Sequence, residues 1–284
     1  MISVIITTKN EAKTLEKAIE VILKQNLKDE YEILVIGPDK ETQKIVQNFF
    51  QYPRVKYLKD QGRGKPVALN LGFQKAKGNI LVLTDGDVWV GQNSLNALLT
   101  PFQDDRVGAV TGRPISINSK DNLFGFWSHF LTNAAHQWRL KGGDFPCSGY
   151  LYAFRDIIKR VPKDVFAEDG IITQMVREKG YRIIYAPEAE VYVKYPDDFK
   201  DWLKQKVRSA GGYVQKQSRG ERNVFQEIAS GLKLFFTYPK TFKEYWWTIL
   251  LYLARLYLWL RIFWRIKIRK EEFKNVWRRI ESTK

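Results

Sequence analysis

The sequence predicts an α/β fold: a largely parallel sheet flanked by helices, followed by a helical segment of different character. Three observations carry this expectation. Short apolar runs rich in β-branched residues alternate with amphipathic stretches over the first 115 residues. Two of these runs pass directly into turn-forming residues, at Gly37-Pro38 and at Asp85-Gly86-Asp87. The last sixth of the chain is basic and aromatic rather than alternating.

The elements follow in order. Residues 2–7 read as a buried strand closed by Thr8-Lys9-Asn10, with Asn10 as the cap of a helix to about Lys24. Leu15, Ala18, Ile19, Ile22 and Leu23 give that helix its apolar stripe. Residues 31–36 form a second strand, residues 41–50 a helix and residues 55–58 a short strand. Gly64-Lys65-Pro66 opens another helix, Pro66 suiting its first position, with Leu69, Gly72, Phe73 and Ala76 inward. Residues 80–84 are a strand that runs into Asp85-Gly86-Asp87. In such sheets ligands bind beyond the carboxyl ends of the strands, so the loops at 7–10, 37–39 and 85–87 should open on one edge. Further on, residues 122–140, 169–179 and 199–217 read as helices, 142–149 as a loop, and 182–185 and 190–193 as strands.

Composition narrows the chemistry. Of 284 residues, 44% are hydrophobic, enough for a real core. A single cysteine, Cys147, rules out an internal disulfide and a cysteine zinc site, and two histidines, His129 and His136, argue against histidine metal clusters and Ser-His-Asp hydrolysis. A metal here takes oxygen ligands, which points to Mg2+ or Mn2+. The start, Met1-Ile2-Ser3-Val4-Ile5-Ile6, has no basic leader, so secretion is not expected.

Asp85-Gly86-Asp87 places two carboxylates on a turn after a buried strand, an arrangement suited to a divalent cation bridging a diphosphate; Asp-Gly is also a common surface turn. Here the chain resembles glycosyltransferase family 2, inverting enzymes of the GT-A fold, over roughly residues 1–215. The motifs occur in order: Val4-Ile5-Ile6-Thr7-Thr8-Lys9-Asn10-Glu11, Gly64-Lys65-Pro66-Val67-Ala68-Leu69-Asn70, Asp85-Gly86-Asp87, Glu168-Asp169 and Gln205-Lys206-Val207-Arg208. The resemblance implies a Rossmann-like GT-A sheet with Asp87 as the main metal ligand and Asp85 in the metal shell or towards the ribose. It implies Asp169 as the base, with Glu168 beside it, and a donor site drawing on Thr8, Asn10, Asp39, Lys65, Gln205 and Arg208. Phe145-Pro146-Cys147-Ser148-Gly149 is similar to the acceptor loop of membrane polysaccharide synthases, with Ser148 inserted, so Cys147, Ser148 and Gly149 are acceptor-site candidates. Cys147 reads as a packing residue of that loop rather than a nucleophile. Two departures stand out: Gly37-Pro38-Asp39 is poorer in acids than the family form, and Ser209 stands where the synthases have Trp.

Simpler readings exist for several of these residues. Thr8 and Asn10 can merely cap, Lys65 can be a solvated helix-start lysine, and Gln205 and Arg208 a polar helix face. Glu168 and Asp169 at a helix start also complement its dipole. As a base, a carboxylate needs partial burial or an acidic neighbour to raise its proton affinity.

The formal net charge is +16. Residues 240–284 hold twelve Lys and Arg against four acids, so about half the excess lies there, together with Trp246, Trp247, Trp259, Trp264 and Trp277. Residues 245–260 carry one charge, Arg255, but fall short of the roughly 20 apolar residues of a membrane span. The mixture suits a helix lying at the head-group level of an anionic membrane, with residues 225–238 as a second such helix; packing on the protein itself is the alternative.

The expectation is therefore a catalytic domain over residues 1–220 and a membrane-associated helical segment over 221–284. The enzyme would move a sugar from a UDP- or GDP-sugar to a hydroxyl or lipid-linked acceptor at the cytoplasmic face of the cell membrane, as a peripheral or monotopic protein. A sugar-nucleotide pyrophosphorylase would need a glycine-rich loop after the first strand, and Thr7-Thr8-Lys9-Asn10 has no glycine. A basic nucleic-acid binder would line a groove of its folded domain with charge, whereas this excess is C-terminal and interleaved with apolar residues. No nucleic acid is therefore expected as partner.

Overall fold

The computed structural model describes residues 1–165, 167–214, 233–268 and 283. They gather into two compact units, Met1–Ile115 with Phe145–Val193, and Ser116–Asp144 with the described part of Lys194–Thr283.

The first unit is built on one eight-stranded sheet. Its strands are β1 (Ile2–Thr7), β2 (Tyr31–Gly37), β3 (Val55–Lys59), β4 (Ile80–Asp85), β5 (Val88–Val90), β6 (Val107–Ser116), β7 (Leu151–Arg155) and β8 (Arg182–Val193). The order is β3-β2-β1-β4-β7-β6-β8-β5. β3, β2, β1 and β4 pair in parallel, which explains why β1 and β4 are unbroken apolar runs rather than alternating ones. β7 then joins antiparallel to β4 and to β6, and β5 antiparallel to β8.

The helices of this unit are α1 (Ala12–Leu23), α2 (Lys40–Gln47), α3 (Lys65–Lys75), α4 (Ser94–Leu99) and α6 (Glu168–Glu178). The predicted stripe of α1 is buried through Leu15, Ala18, Ile19 and Ile22. Its cap differs from expectation. Asn10 does not cap α1: it adopts a left-handed φ of 56°, and Glu11 precedes the helix without a side-chain cap bond. The backbone N–H of Asn10 instead donates to Asp39 Oδ2 at 3.2 Å.

Residues 182–185 and 190–193 form one continuous strand, because Pro187 does not interrupt a strand that runs from Arg182 to Val193. β6 escapes a sequence reading because Gly108, Gly112 and Pro114 resemble breakers. The two glycines serve close approach: a Cβ on Gly108 would lie 2.3 Å from Tyr181 Cβ, and one on Gly112 2.5 Å from the Ala189 carbonyl oxygen.

The second unit is helical. It holds α5 (Leu123–Leu140), α7 (Phe199–Val214), a turn of helix at 233–237, α8 (Phe242–Phe263) and a π-helical turn, Trp264–Ile268. Its two chain entries are tied by Asn118, whose amide donates to the Tyr195 carbonyl at 2.9 Å and accepts from the Tyr195 N–H at 2.8 Å. Aromatic rings fill its interior. Phe126 meets Tyr238 and Trp247, Trp127 meets Trp202, and Trp127 Nε1 donates to the Trp247 carbonyl at 2.8 Å. Part of the aromatic content expected at a membrane therefore packs within this unit. Residues 225–232 and 269–282, with Trp277 and the basic cluster from Arg269 to Arg279, lie outside the described residues.

Beneath the parallel half of the sheet a charge is buried. Glu32, 2% exposed, accepts from Ser3 Oγ at 2.8 Å, Lys77 N at 2.8 Å and Lys56 Nζ at 2.9 Å. Burial alone would raise its proton affinity, but these three donors win and hold the carboxyl below its ordinary range. Such a lowered group contributes stability that is present above its unfolded value, about pH 4.3, and fades as pH falls through its folded value. Glu32→Gln should cost roughly 1–3 kcal/mol at neutral pH. Thermal melts from pH 7 to pH 3 should show the gap from wild type closing on acidification; a gap independent of pH would refute the assignment.

Candidate active site

The parallel register brings the candidate loops to one edge. Thr7 pairs with Asp85 across β1 and β4, so both strands end at the same level, and β2 ends beside them at Gly37. Thr7 Oγ1 donates to Asp85 Oδ1 at 3.0 Å, and the Gly86 N–H donates to the Thr7 carbonyl at 3.1 Å. Gly86 sits in the turn between the two carboxylates. Its φ is not in the left-handed region, and what it supplies is room. A Cβ there would lie 2.7 Å from Thr8 Oγ1 and 2.8 Å from Thr8 Cβ, atoms of a buried side chain that cannot yield easily.

Lys65 is the pivot of the site. It begins α3 directly after Gly64, whose φ of 111° suits glycine and turns the chain into the helix. Its Nζ lies 2.8 Å from Asp85 Oδ1 and 2.8 Å from Glu168 Oε1, and its side chain is only 17% exposed. Burial would lower its proton affinity, but the two carboxylates outweigh that and raise it, keeping Lys65 an ammonium. The reading of Lys65 as a solvated lysine is thereby overturned: two carboxylates hold it.

Glu168 and Asp169 open α6 and serve different neighbours. Glu168 is buried on Lys65, whereas Asp169 is half-buried and faces Gly149, where a Cβ would meet Asp169 Oδ2 at 3.2 Å. The Gly170 N–H donates to Asp169 Oδ1 at 2.9 Å. Thr173 Oγ1 donates to the Asp169 carbonyl at 2.6 Å and accepts from the Cys147 N–H at 2.9 Å, which fastens the 145–149 loop to α6. The Ser148 N–H donates to Thr111 Oγ1 at 2.8 Å. Cys147 is 1% exposed in the core cluster, the packing role expected of it.

Asp39 is heavily committed. It caps α2 by accepting from Thr42 N and Thr42 Oγ1, both at 2.8 Å, as well as from Asn10 N. Burial would raise its proton affinity, but these donors lower it overall. Two neighbours went unrecognised in the sequence. Asp60, next to Gly62 in the loop after β3, is buried with Oδ1 lacking a partner among the described residues; burial, aided by the Asp39 charge, raises its proton affinity. Tyr152 on β7 is fully buried with a hydroxyl that has no partner among the described residues, and burial together with Glu168 and Asp169 pushes its ionisation well up. A tyrosine inside an apolar strand carries no sequence signal of this kind.

Asp85 and Asp87 are two oxygen donors, and no cluster of three His, Cys, Asp or Glu able to hold a metal occurs among the described residues. This donor set fits magnesium or manganese, which keep several waters and take phosphate oxygens with one or two carboxylates. Gln205 and Arg208 lie on α7 in the second unit, Gln205 buried with its Oε1 lacking a partner among the described residues and Arg208 half-buried.

Comparison with known proteins identifies the family and the fold. The model of the family described as Glycosyl transferase family 2 matches residues 3–161. A probable glycosyltransferase, YdaM of Bacillus subtilis, is 28% identical over 232 residues, 74% of this chain and 54% of that protein. The poly-beta-1,6-N-acetyl-D-glucosamine synthase of Staphylococcus aureus is 25% identical over 264 residues, 88% of this chain and 62% of that one. The chain thus spans between half and two thirds of the length of these curated relatives. Among solved structures, a mannosyltransferase from Pyrobaculum calidifontis in complex with GDP-Man and Mn2+ superposes with a TM-score of 0.60 at 22% identity, covering 94% of this chain and 72% of that one. TarS 1-349 of S. aureus with UDP gives a TM-score of 0.53 at 17% identity, covering 84% and 72%. These likenesses show the GT-A fold.

Two outcomes follow from the packing. Lys65→Met leaves Asp85 and Glu168 facing one another without a cation and should destabilise the protein by roughly 3–5 kcal/mol, read by denaturant titration. Gly86→Ala should keep the fold, checked by circular dichroism, while weakening nucleotide binding at least about tenfold in calorimetry, the size of a displacement costing about 1.4 kcal/mol. Unchanged affinity would show that the 85–87 turn does not depend on the Thr8 contact.

Proposed function

The chain belongs to glycosyl transferase family 2, and from that premise we propose that it transfers a sugar, with inversion, from a UDP- or GDP-sugar to a hydroxyl or lipid-linked acceptor. The observation that carries this reading is the constellation at the carboxyl edge of the parallel strands. Lys65 bridges Asp85 and Glu168, and Asp169 stands beside the 145–149 loop. Asp87, with Asp85, would hold a magnesium or manganese ion; when bound, the ion offsets the charge of the departing diphosphate. Relatives of the same fold support the donor class, being complexed with GDP-Man and Mn2+ or with UDP.

The chain's own residues perform the rest. Asp169 takes the proton from the acceptor hydroxyl as its oxygen attacks the anomeric carbon, opposite the breaking bond to the diphosphate. Lys65 is a fixed positive charge near the leaving group, and its pairing with Glu168 leaves the base role to the neighbouring Asp169. Thr8, Asn10 and Asp39 border the nucleotide, with Asp39 setting the loop through its three hydrogen bonds. Gln205 and Arg208 are assigned to the diphosphate, and Cys147, Ser148 and Gly149 to the acceptor side.

Residues 1–220 would form the catalytic domain and 221–284 a segment that keeps the enzyme at the cytoplasmic face of the membrane. No helix among the described residues is long and apolar enough to cross a bilayer, which favours association with one surface. The similarity to a polysaccharide synthase supports an acceptor met at that surface.

The test is nucleoside-diphosphate release from a panel of UDP- and GDP-sugars, with manganese or magnesium and membrane lipid present. One donor should be turned over. Asp169→Asn should lower kcat at least about 100-fold with donor affinity within about twofold, the loss expected of a general base. Asp87→Ala should abolish the metal dependence of donor binding. Near-normal turnover in Asp169→Asn would remove the base assignment, and absence of donor binding across the panel would overturn the proposal.

A further inference from the structure

The helix α8 is apolar on two opposite sides. Towards its own unit it buries Thr248, Leu251, Ala254, Leu258 and Ile262, and its aromatic side chains reach α5 and α7 through the pairs Phe130–Tyr252 and Phe199–Tyr257. Towards solvent it presents Trp246, Ile249, Leu253, Leu256, Leu260 and Phe263, spaced by three and four residues in turn. Leu253, Leu256 and Leu260 are 56%, 58% and 59% exposed. At about 100° per residue these six side chains fall within an arc of about 100°, and the buried five point the opposite way. No charged residue of α8 lies inside that arc. Lys243 and Arg261 both lie to one side of it, about 110° from its centre, while Arg255 and the only acid of the helix, Glu244, lie on the buried side.

We propose that this exposed stripe lies in the plane of a bilayer surface that carries anionic head groups, with α8 parallel to the membrane. The stripe runs for about 25 Å, from Trp246 to Phe263 at about 1.5 Å per residue. Trp246 near one end and Trp264 just past the other are both exposed, the residue type that settles at head-group depth. Arg261, exposed to one side of the stripe, has the length to meet phosphate, whereas Lys243 Nζ is turned to the Asp121 carbonyl and the Trp247 ring. A second copy of the chain is a poorer occupant. In an antiparallel two-fold pairing of this stripe with itself, the side that carries Lys243 and Arg261 would meet the same side of the other copy, with no carboxylate of α8 there to receive them. An anionic lipid surface supplies the missing negative charge.

This inference deepens the membrane location proposed above and is independent of the donor chemistry. The full chain would be sedimented with vesicles of pure phosphatidylcholine and with vesicles containing one third phosphatidylglycerol. A triple variant, Leu253→Gln, Leu256→Gln and Leu260→Gln, would run in parallel; its net charge is unchanged and its substituted sites are solvent-facing. Wild type should partition at least about tenfold more strongly onto the anionic vesicles, since cations at the surface each add to binding. The variant should lose most of that binding while its melting temperature and its diphosphate release in lipid-free buffer stay at wild-type values. Equal vesicle binding by wild type and variant would overturn the stripe as the contact. Equal partition onto both vesicle types would overturn the anionic requirement. Failure of wild type to bind vesicles, with a dimer that the variant breaks in sedimentation velocity, would assign the stripe to a second copy instead. Loss of vesicle binding with diphosphate release intact, or the reverse, separates this inference from the catalytic one.

Discussion

The site depends on the placement of one ammonium group. Lys65 reaches Asp85 at the end of β4 and Glu168 at the start of α6, both at 2.8 Å, and in doing so joins three elements distant in sequence. Without it, two carboxylates would share a confined space and repel. With it, the strand end and the two helix starts are fixed relative to one another. The N-termini of α3 and α6 then bring their positive dipole ends to the same region.

Much of this was legible in the sequence because parallel sheets impose simple rules. Buried strands such as β1, β2 and β4 read as apolar runs, and their carboxyl ends mark where ligands go, so Thr8, Asp39 and Asp85 could be grouped from the chain alone. What escaped depends on distance rather than pattern. The bond of Lys65 to Glu168 spans about a hundred residues, and nothing local announces it. Asn10 looked like a cap but gives its N–H to Asp39, an interaction set by the packing of two loops. Asp60 and Tyr152 are informative only because burial leaves one polar atom of each without a partner among the described residues, a property that exists only in three dimensions. β6 was obscured because its glycines, needed where Tyr181 and Ala189 come close, look like loop residues.

The C-terminal helix combines two readings that looked like alternatives. Its Tyr252 and buried leucines are core of the second unit, yet an opposite row of apolar side chains remains exposed. A helix in water normally divides into one apolar and one polar side. Here the apolar residues occupy both sides, and charge is confined to one flank and the inner side. Such a helix shields half of its apolar surface within the protein, and the remaining half is larger than the scattered exposed residues usual on a soluble domain.

Glu168 and Asp169 show how one short motif serves two purposes. Consecutive residues on a helix project about 100° apart, so adjacent carboxylates at its start cannot share a target. Glu168 turns inward to Lys65 and is buried by it. Asp169 turns towards Gly149, whose missing side chain leaves room beside the carboxylate; any larger residue would press on Oδ2. The hydroxyl of Thr173, one turn further on, holds both the Asp169 carbonyl and the N–H of Cys147, so the loop and the carboxylate keep a fixed spacing. The division follows from geometry: the carboxylate that faces the Lys65 ammonium holds structure, while the one beside Gly149 is the base proposed for the acceptor hydroxyl.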